Sequence, residues 1–318
     1  LAPATRSLLA LALLLASSCD GACSAIGGTG VASSGFGIQN GLEAFGPADT
    51  AEEADTGEIP AGTPLVFLDA CDMDGDGVHD CANTGWTDGE VQSAVDPWLD
   101  TGSVDGDLGD ADVADQSNYD AEVVLFGNKP GIYFDATDYL TSDALAAAYA
   151  WMLATGDDHG CVVVFAANGA PVAAQRLLAT STATPNNRFQ LGLDADGITL
   201  RFQSNATNHV ALVGTNLPTD PEDPTFLAWN YKGDDGAATD EIAVWINDMV
   251  TVVVDDALVS PPTAGSVSET LRAGRNTHDT NADYDGWIHL FYCRASLLSE
   301  AERVAFKLYV ETRMGITF

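Results

Sequence analysis

The chain has 318 residues, of which 46% are apolar and 31 are glycine, a composition that supports one large core and excludes a disordered or collagen-like chain. Twelve Lys+Arg stand against 47 Asp+Glu, a net charge of −35, and no Lys or Arg lies between Arg6 and Lys129, where 23 carboxylates fall. Such a field repels phosphate backbones and anionic lipid heads, which excludes nucleic acid and membrane surfaces as partners and favours cations.

Residues 1–19 read as an export signal: Arg6 is its positive end, 8–16 an apolar run, and small residues precede Cys19. The run is too short for a bilayer span, which takes roughly 20 residues. Leu15-Ala-Ser-Ser-Cys19 resembles a bacterial lipobox, which implies lipidation of Cys19 and a membrane link only through that anchor; a signal without lipidation is the alternative. Residues 20–62, rich in Gly, Ala, Ser and Thr and then acidic, read as a flexible linker. The folded domain is expected over 63–318, with an acidic insertion at about 71–120, in an extracellular or cell-surface setting where cysteines pair.

Cys71 and Cys81 bracket a loop in which Asp72, Asp74 and Asp76 take positions 1, 3 and 5 of a D-x-D-x-D-G series. Gly77 allows the sharp turn, Val78 offers its carbonyl at position 7, and Asp80 falls at position 9. Asn83 stands at position 12, where a bidentate acid is usual. The pattern resembles EF-hand, dockerin and thrombospondin type 3 loops and implies Ca2+. Four aspartates this close repel one another unless a cation neutralises them; a solvated acidic turn is the alternative. Asp105, Asp107, Asp110 and Asp112 form a looser cluster. A competing account of the acidity is a surface solvated at high salt, since Asp outnumbers Glu 35 to 12 and lysines number three.

After residue 62 come short β-like runs broken by Gly, Asp, Asn and Pro: 65–69, 131–135, 161–166, 188–194, 198–203, 210–213, 226–231, 241–247, 251–254, 271–275 and 287–293. Phe189, Leu191 and Leu193 alternate with polar residues, as in a half-buried strand. Asp194-Ala-Asp-Gly197 and Asn247-Asp248 read as hairpin turns. Roughly eleven strands without crossover helices predict an all-β, two-sheet antiparallel sandwich. A helix is expected at 142–154 and a second, C-terminal one after Ser299, with Glu302 as capping-box partner, Val304, Leu308 and Thr312 on one side, and Gly315 as terminator. Cys161 and Cys293 sit on strand-like runs; a disulfide between them, alongside Cys71–Cys81, is expected, with two buried thiols as the alternative.

Several motifs together resemble the LamG-like jelly-roll domains of the concanavalin A-like lectin/glucanase superfamily. They are Leu65-Val-Phe-Leu-Asp-Ala70, Trp98-Leu-Asp-Thr-Gly102, Pro130-Gly-Ile-Tyr-Phe-Asp-Ala-Thr-Asp-Tyr-Leu140, Leu271-Arg-Ala-Gly274, Asp285-Gly-Trp-Ile288 and Leu298-Ser-Glu-Ala-Glu302. The resemblance spans about 64–316 and implies a jelly-roll sandwich; it departs at Leu290, where the closing strand often carries Glu. The superfamily holds both binding modules and glycanases. No strand shows the paired carboxylates a retaining glycosidase needs, and neither G-x-S-x-G nor a His motif appears, so no catalytic residue is assigned.

The reading is a secreted or surface-tethered binding module, calcium-stabilised, that recognises carbohydrate or an extracellular protein. Exposed aromatics flanked by Asn and Asp hold sugars on such sandwiches, which makes Trp86, Tyr284 and Trp287 ligand candidates; Trp98 and Trp287 also match framework positions. An ion-binding envelope spacer and a glycanase with an unrecognised site are the alternatives.

Overall fold

The computed structural model describes residues 62–73, 79, 81, 89–90, 97–109, 117–153, 157–171, 174–180, 187–194, 197–204, 207–214, 223–232, 242–256, 270–275 and 283–318. The signal, the linker up to 61, Cys19, Asp74, Asp76, Val78, Asp80, Asn83, Trp86, Asp110 and Asp112 lie outside them.

Two antiparallel sheets face each other, as expected. The nine-stranded sheet holds β1 (Val66–Asp69), β2 (Gly89–Glu90), β4 (Asn118–Val123), β5 (Lys129–Asp135), β7 (His159–Ala167), β12 (Thr225–Tyr231), β13 (Ile242–Ile246), β14 (Val254–Asp256) and β16 (Asp285–Arg294). Its order is β14-β13-β12-β7-β16-β5-β4-β2, with β1 also pairing β16. The seven-stranded sheet runs β11 (Thr207–Gly214), β10 (Gly197–Ser204), β9 (Asn187–Asp194), β8 (Gln175–Thr180), β15 (Arg272–Ala273), β6 (Leu140–Ser142), β3 (Leu108–Gly109).

Strand alternation fills the space between the sheets. Phe134, Phe189, Phe202, Trp229 and Phe291 meet there, with Trp229 stacked between Phe189 and Phe291. The outer face of the nine-stranded sheet has its own apolar cover, the helix α1 (Glu300–Met314). That explains β7, in which all nine residues are buried: one face meets the core, the other the helix.

Ser299 caps α1 through the expected box with Glu302, and Gly315 ends it at φ 67°. The buried side, however, is Arg303, Phe306, Val310, Arg313 and Met314, while Val304 and Leu308 face solvent. Arg303 and Arg313 belong to the packed side because each spends its guanidinium on buried acceptors there. Two further expectations need correction. Residues 146–153 form a 3-10 segment rather than an α-helix over 142–154, and Ser142, where that helix was expected to begin, ends β6. The Ser142 hydroxyl bonds Tyr149 at 2.6 Å and accepts from the Ala144 amide, which folds the chain back tightly. At Asn247 the strand does not resume until Val254, because the Asn247 side chain turns back to accept from the Phe226 amide. The turn between β9 and β10 is the expected hairpin, with Asp194 opposite Gly197.

Both disulfides are present. Cys161 and Cys293 stand directly opposite on β7 and β16, and Cys71–Cys81 closes the acidic loop.

Candidate functional site

On β5 and β16, Ile132, Phe134 and Ile288 point into the core, so Tyr133 and Asp135, Asp285 and Trp287 project from the outer face. The register sets Trp287 opposite Tyr133 and Asp285 opposite Asp135. The Tyr133 and Trp287 rings lie 4.8 Å apart at 36°. Gly286, at φ 150°, is what lets β16 lie this close to β7; a Cβ there would run into the Ala166 carbonyl.

Polar groups frame the ring pair. The Trp287 indole donates to Asp120 at 3.3 Å. Asn168, just past β7, donates its amide to the Tyr133 hydroxyl at 3.3 Å and to Asp285 at 3.1 Å, while the Tyr133 hydroxyl also reaches Asp285 at 3.4 Å. Partial burial and then the Asp285 carboxylate push the Tyr133 phenol above its ordinary range, so it remains a neutral donor. One hydrogen bond from the Thr137 hydroxyl and one from its backbone amide hold Asp135 below its ordinary range. Tyr133, Trp287, Asp120 and Asp285 are half-buried; Asn168 and Asp135 are exposed. The arrangement offers an aromatic surface edged by one amide, one phenol and three carboxylates.

Among the described residues, Trp287 is therefore the one sequence candidate in such a setting. Tyr284 is a correction: its ring is fully buried against Phe134, and its hydroxyl donates to the Ala166 carbonyl at 2.7 Å, which braces the sheet and presents no face to a ligand. Trp98 is likewise fully buried. Tyr133, Asp120 and Asn168 were missed, although alternation in 131–135 already separates Tyr133 from Ile132 and Phe134. Asp120 and Asn168 carry no local signal.

At the other end of β1, the acidic loop meets a buried charge network. Asp69 accepts from Arg313 at 2.6 Å and from the Cys71 amide at 2.9 Å, and lies 3.1 Å from the His79 ring. Burial would raise its carboxyl, but Arg313 and His79 outweigh that and hold it well below the usual range. Arg313 also donates to His289 Nε2 at 2.8 Å, and the Nδ1 of His289 meets the Pro130 carbonyl at 2.7 Å. Arginine only donates, so His289 is neutral with its proton on Nδ1; burial and then Arg313 push it down to about 4. His289 is the extra residue of a bulge in β16 between Ile288 and Leu290. Leu290, the departure from the family pattern, packs under the helix.

Asp69, Cys71 and His289 bring three donor atoms within 4.8 Å of one another. They do not fit a metal: the Cys71 sulfur is in a disulfide, and Arg313 already bridges the other two. Asp72, the first residue of the calcium pattern, is 1% exposed, with its carboxylate 3.5 Å from His79 at the foot of the disulfide-closed loop.

No protein-family model matches the sequence, and no curated protein matches it. Among solved structures, the chain is similar to a Ruminococcus gnavus IT-sialidase CBM40, at 12% identity and TM-score 0.43 over 55% of this chain and 95% of that one. It is also similar to domain 4 of AbnA, a GH43 extracellular arabinanase from Geobacillus stearothermophilus, in complex with arabinotriose. There the identity is 11% and the TM-score 0.47, over 77% of this chain and 98% of that one. At such scores the likeness carries no argument about function. The class rests on the sheets themselves: an antiparallel β-sandwich with a C-terminal helix. Among the described residues no helix is long and apolar enough to cross a membrane.

Proposed function

We propose that the protein is a secreted glycan-binding module and that the Tyr133–Trp287 pair is its saccharide seat. One observation carries this reading: two aromatic rings in contact on an outer sheet face, ringed by hydroxyl-bonding groups from four separate segments. Sugar C–H faces pack on such rings, and Asp120, Asn168 and Asp285 are placed to bond the hydroxyls around them. Carboxylates border the seat, and neither Lys nor Arg bonds any of its members among the described residues, so it favours neutral sugars. Direct catalysis is not part of the proposal.

The motif order supports membership in the LamG-like group, and the first 19 residues support export, with Cys19 as the lipid anchor. Calcium is proposed at the loop formed by Asp72, Asp74, Asp76, the Val78 carbonyl and Asp80, completed at Asn83. The buried Asp72 and the Cys71–Cys81 closure favour a loop held ready for a cation. When bound, the ion would neutralise the aspartates and stiffen the loop.

A neutral-glycan array followed by calorimetry tests the seat. Trp287→Ala is expected to lower affinity for any neutral glycan that binds by at least tenfold, on the scale of ring stacking. Silence across the array, or binding indifferent to Trp287→Ala and Tyr133→Ala, overturns the assignment.

A further inference from the structure

The outer face of the opposite sheet carries a different polar group. Phe189, Leu191 and Leu193 of β9, and Ile198, Leu200 and Phe202 of β10, enter the core. Gln190 and Arg201 therefore face outward. Leu178 of β8 and Ala273 of β15 also enter the core, which turns Ala179 and Arg272 the same way. The register places Arg201 opposite Gln190, Gln190 opposite Ala179, and Ala179 opposite Arg272. Arg176, opposite Gly192, lies over that glycine: a Cβ there would stand 2.8 Å from its guanidinium. Three arginines thus stand one or two strands from Gln190, roughly 5–10 Å at the backbone. In a chain with 12 basic residues and 47 acidic ones, that is a pronounced concentration.

The second observation is Gln190 itself. It is 1% exposed, and among the described residues neither its amide oxygen nor its amide nitrogen has a hydrogen-bond partner. The Nε of Arg201, a half-buried residue, has none either. Burying an amide with both ends unmet is costly, and a bound polar group would meet it. An aromatic ring completes the border. Leu140 faces the core, so Tyr139 faces outward, and the guanidinium groups of Arg272 and Arg275 each lie 5.3 Å from its centroid. Two described carboxylates at the margin are engaged: Asp283 pairs with Arg275 at 3.2 Å, and Asp194 accepts from Thr199 at 2.9 Å.

We propose that this face is a second site, for a saccharide carrying an oxyanion. The planar guanidinium of Arg201 matches a carboxylate or sulfate oxygen pair, and the Gln190 amide, donor and acceptor at once, takes an adjacent hydroxyl. The saccharide part rests on the proposed glycan-binding function; the oxyanion part stands on the arginines and Gln190 alone.

Calorimetry on the full chain at constant ionic strength tests it, with oligogalacturonate, a sulfated dextran oligosaccharide, uncharged dextran and sodium sulfate. One or both acidic saccharides are expected to bind, and which of them does so separates carboxylate from sulfate. Arg201→Gln is expected to weaken that binding at least tenfold, and Trp287→Ala to leave it unchanged. Gln190→Leu is expected to weaken it about tenfold without lowering the melting temperature, a combination that a purely structural glutamine does not give. The site is overturned if neither acidic saccharide binds at millimolar concentration, or if Arg201→Gln and Gln190→Leu leave binding intact. Sodium sulfate binding as tightly as the saccharides overturns the sugar part. Loss of acidic binding in Trp287→Ala overturns a separate site, whereas failure of neutral glycans alone touches only the Tyr133–Trp287 seat.

Discussion

Arg313, in the last turn of the C-terminal helix, bonds Asp69 at the end of the first strand at 2.6 Å, closing 244 residues of chain with a fully buried ion pair. The same guanidinium fixes the tautomer of His289 in the bulge of β16. Removing one partner leaves a buried charge uncompensated, which costs about 3–5 kcal/mol. Arg313→Met should destabilise the protein by that amount in urea unfolding. An Asp69→Asn, Arg313→Met double variant should recover part of the loss, because no bare charge remains; equal losses in the single and the double variant would contradict the pair's role.

The two disulfides should differ in weight. The closed segments span 132 residues for Cys161–Cys293 and 10 for Cys71–Cys81, and the loop-entropy relation gives about 5 and about 3 kcal/mol respectively. Paired Cys→Ser variants, compared by chemical denaturation, should rank in that order.

Acid should weaken the fold through its buried imidazoles. His159, stacked on Tyr231 at 4.8 Å, is pushed by burial from 6.5 down to about 3. Its folded pKa lies below its unfolded one, so below pH 6.5 the unfolded chain binds a proton that the fold refuses. Stability then falls as the pH drops toward about 3, by about 1.4 kcal/mol per unit. His289 acts in the same direction down to about 4. Asp138, raised to about 6 by burial and then by Asp135, opposes them between 3.8 and 6, where the fold holds the extra proton. His159→Phe keeps a ring against Tyr231 and should flatten the slope between pH 4 and 6 by one proton, read from unfolding free energies across that range.

Calcium should raise the melting temperature, magnesium far less. An excess of 100-fold over Kd corresponds to about 2.7 kcal/mol. Asp72→Asn with Asp76→Asn should abolish the calcium response while the calcium-free melting temperature changes little or rises, since two repelling charges are gone. A calcium titration without heat at millimolar ion would contradict the proposed loop.

The architecture was legible because its signals are local. Alternation in 188–194, the hairpin at Asp194 and Gly197, and the Ser299 cap each depend on neighbours in sequence. The packed side of α1 was not legible, since Arg303 and Arg313 look like solvent residues until their buried acceptors are known. Trp287 was found by residue type, but its frame was not. Asn168 reaches Asp285 across 117 residues and Asp120 reaches Trp287 across 167, and no local pattern encodes such meetings. Tyr284 failed as a candidate for the converse reason: a tyrosine beside a strand reads the same whether its hydroxyl meets water or, as here, a buried carbonyl.

The antiparallel ladder between β1 and β16 also sets how the domain bears load. Val66 lies opposite Cys293, at the far end of β16 from Trp287, six residues or roughly 20 Å away. Tension entering at residue 62 and resisted by a ligand at Trp287 therefore runs lengthwise along β16. It strains the four β1 pairings together rather than peeling them one by one, and Cys161–Cys293 passes the force on to β7 through a covalent bond. A chain tethered at its N-terminal side and gripping at Trp287 would be pulled in its mechanically strongest direction.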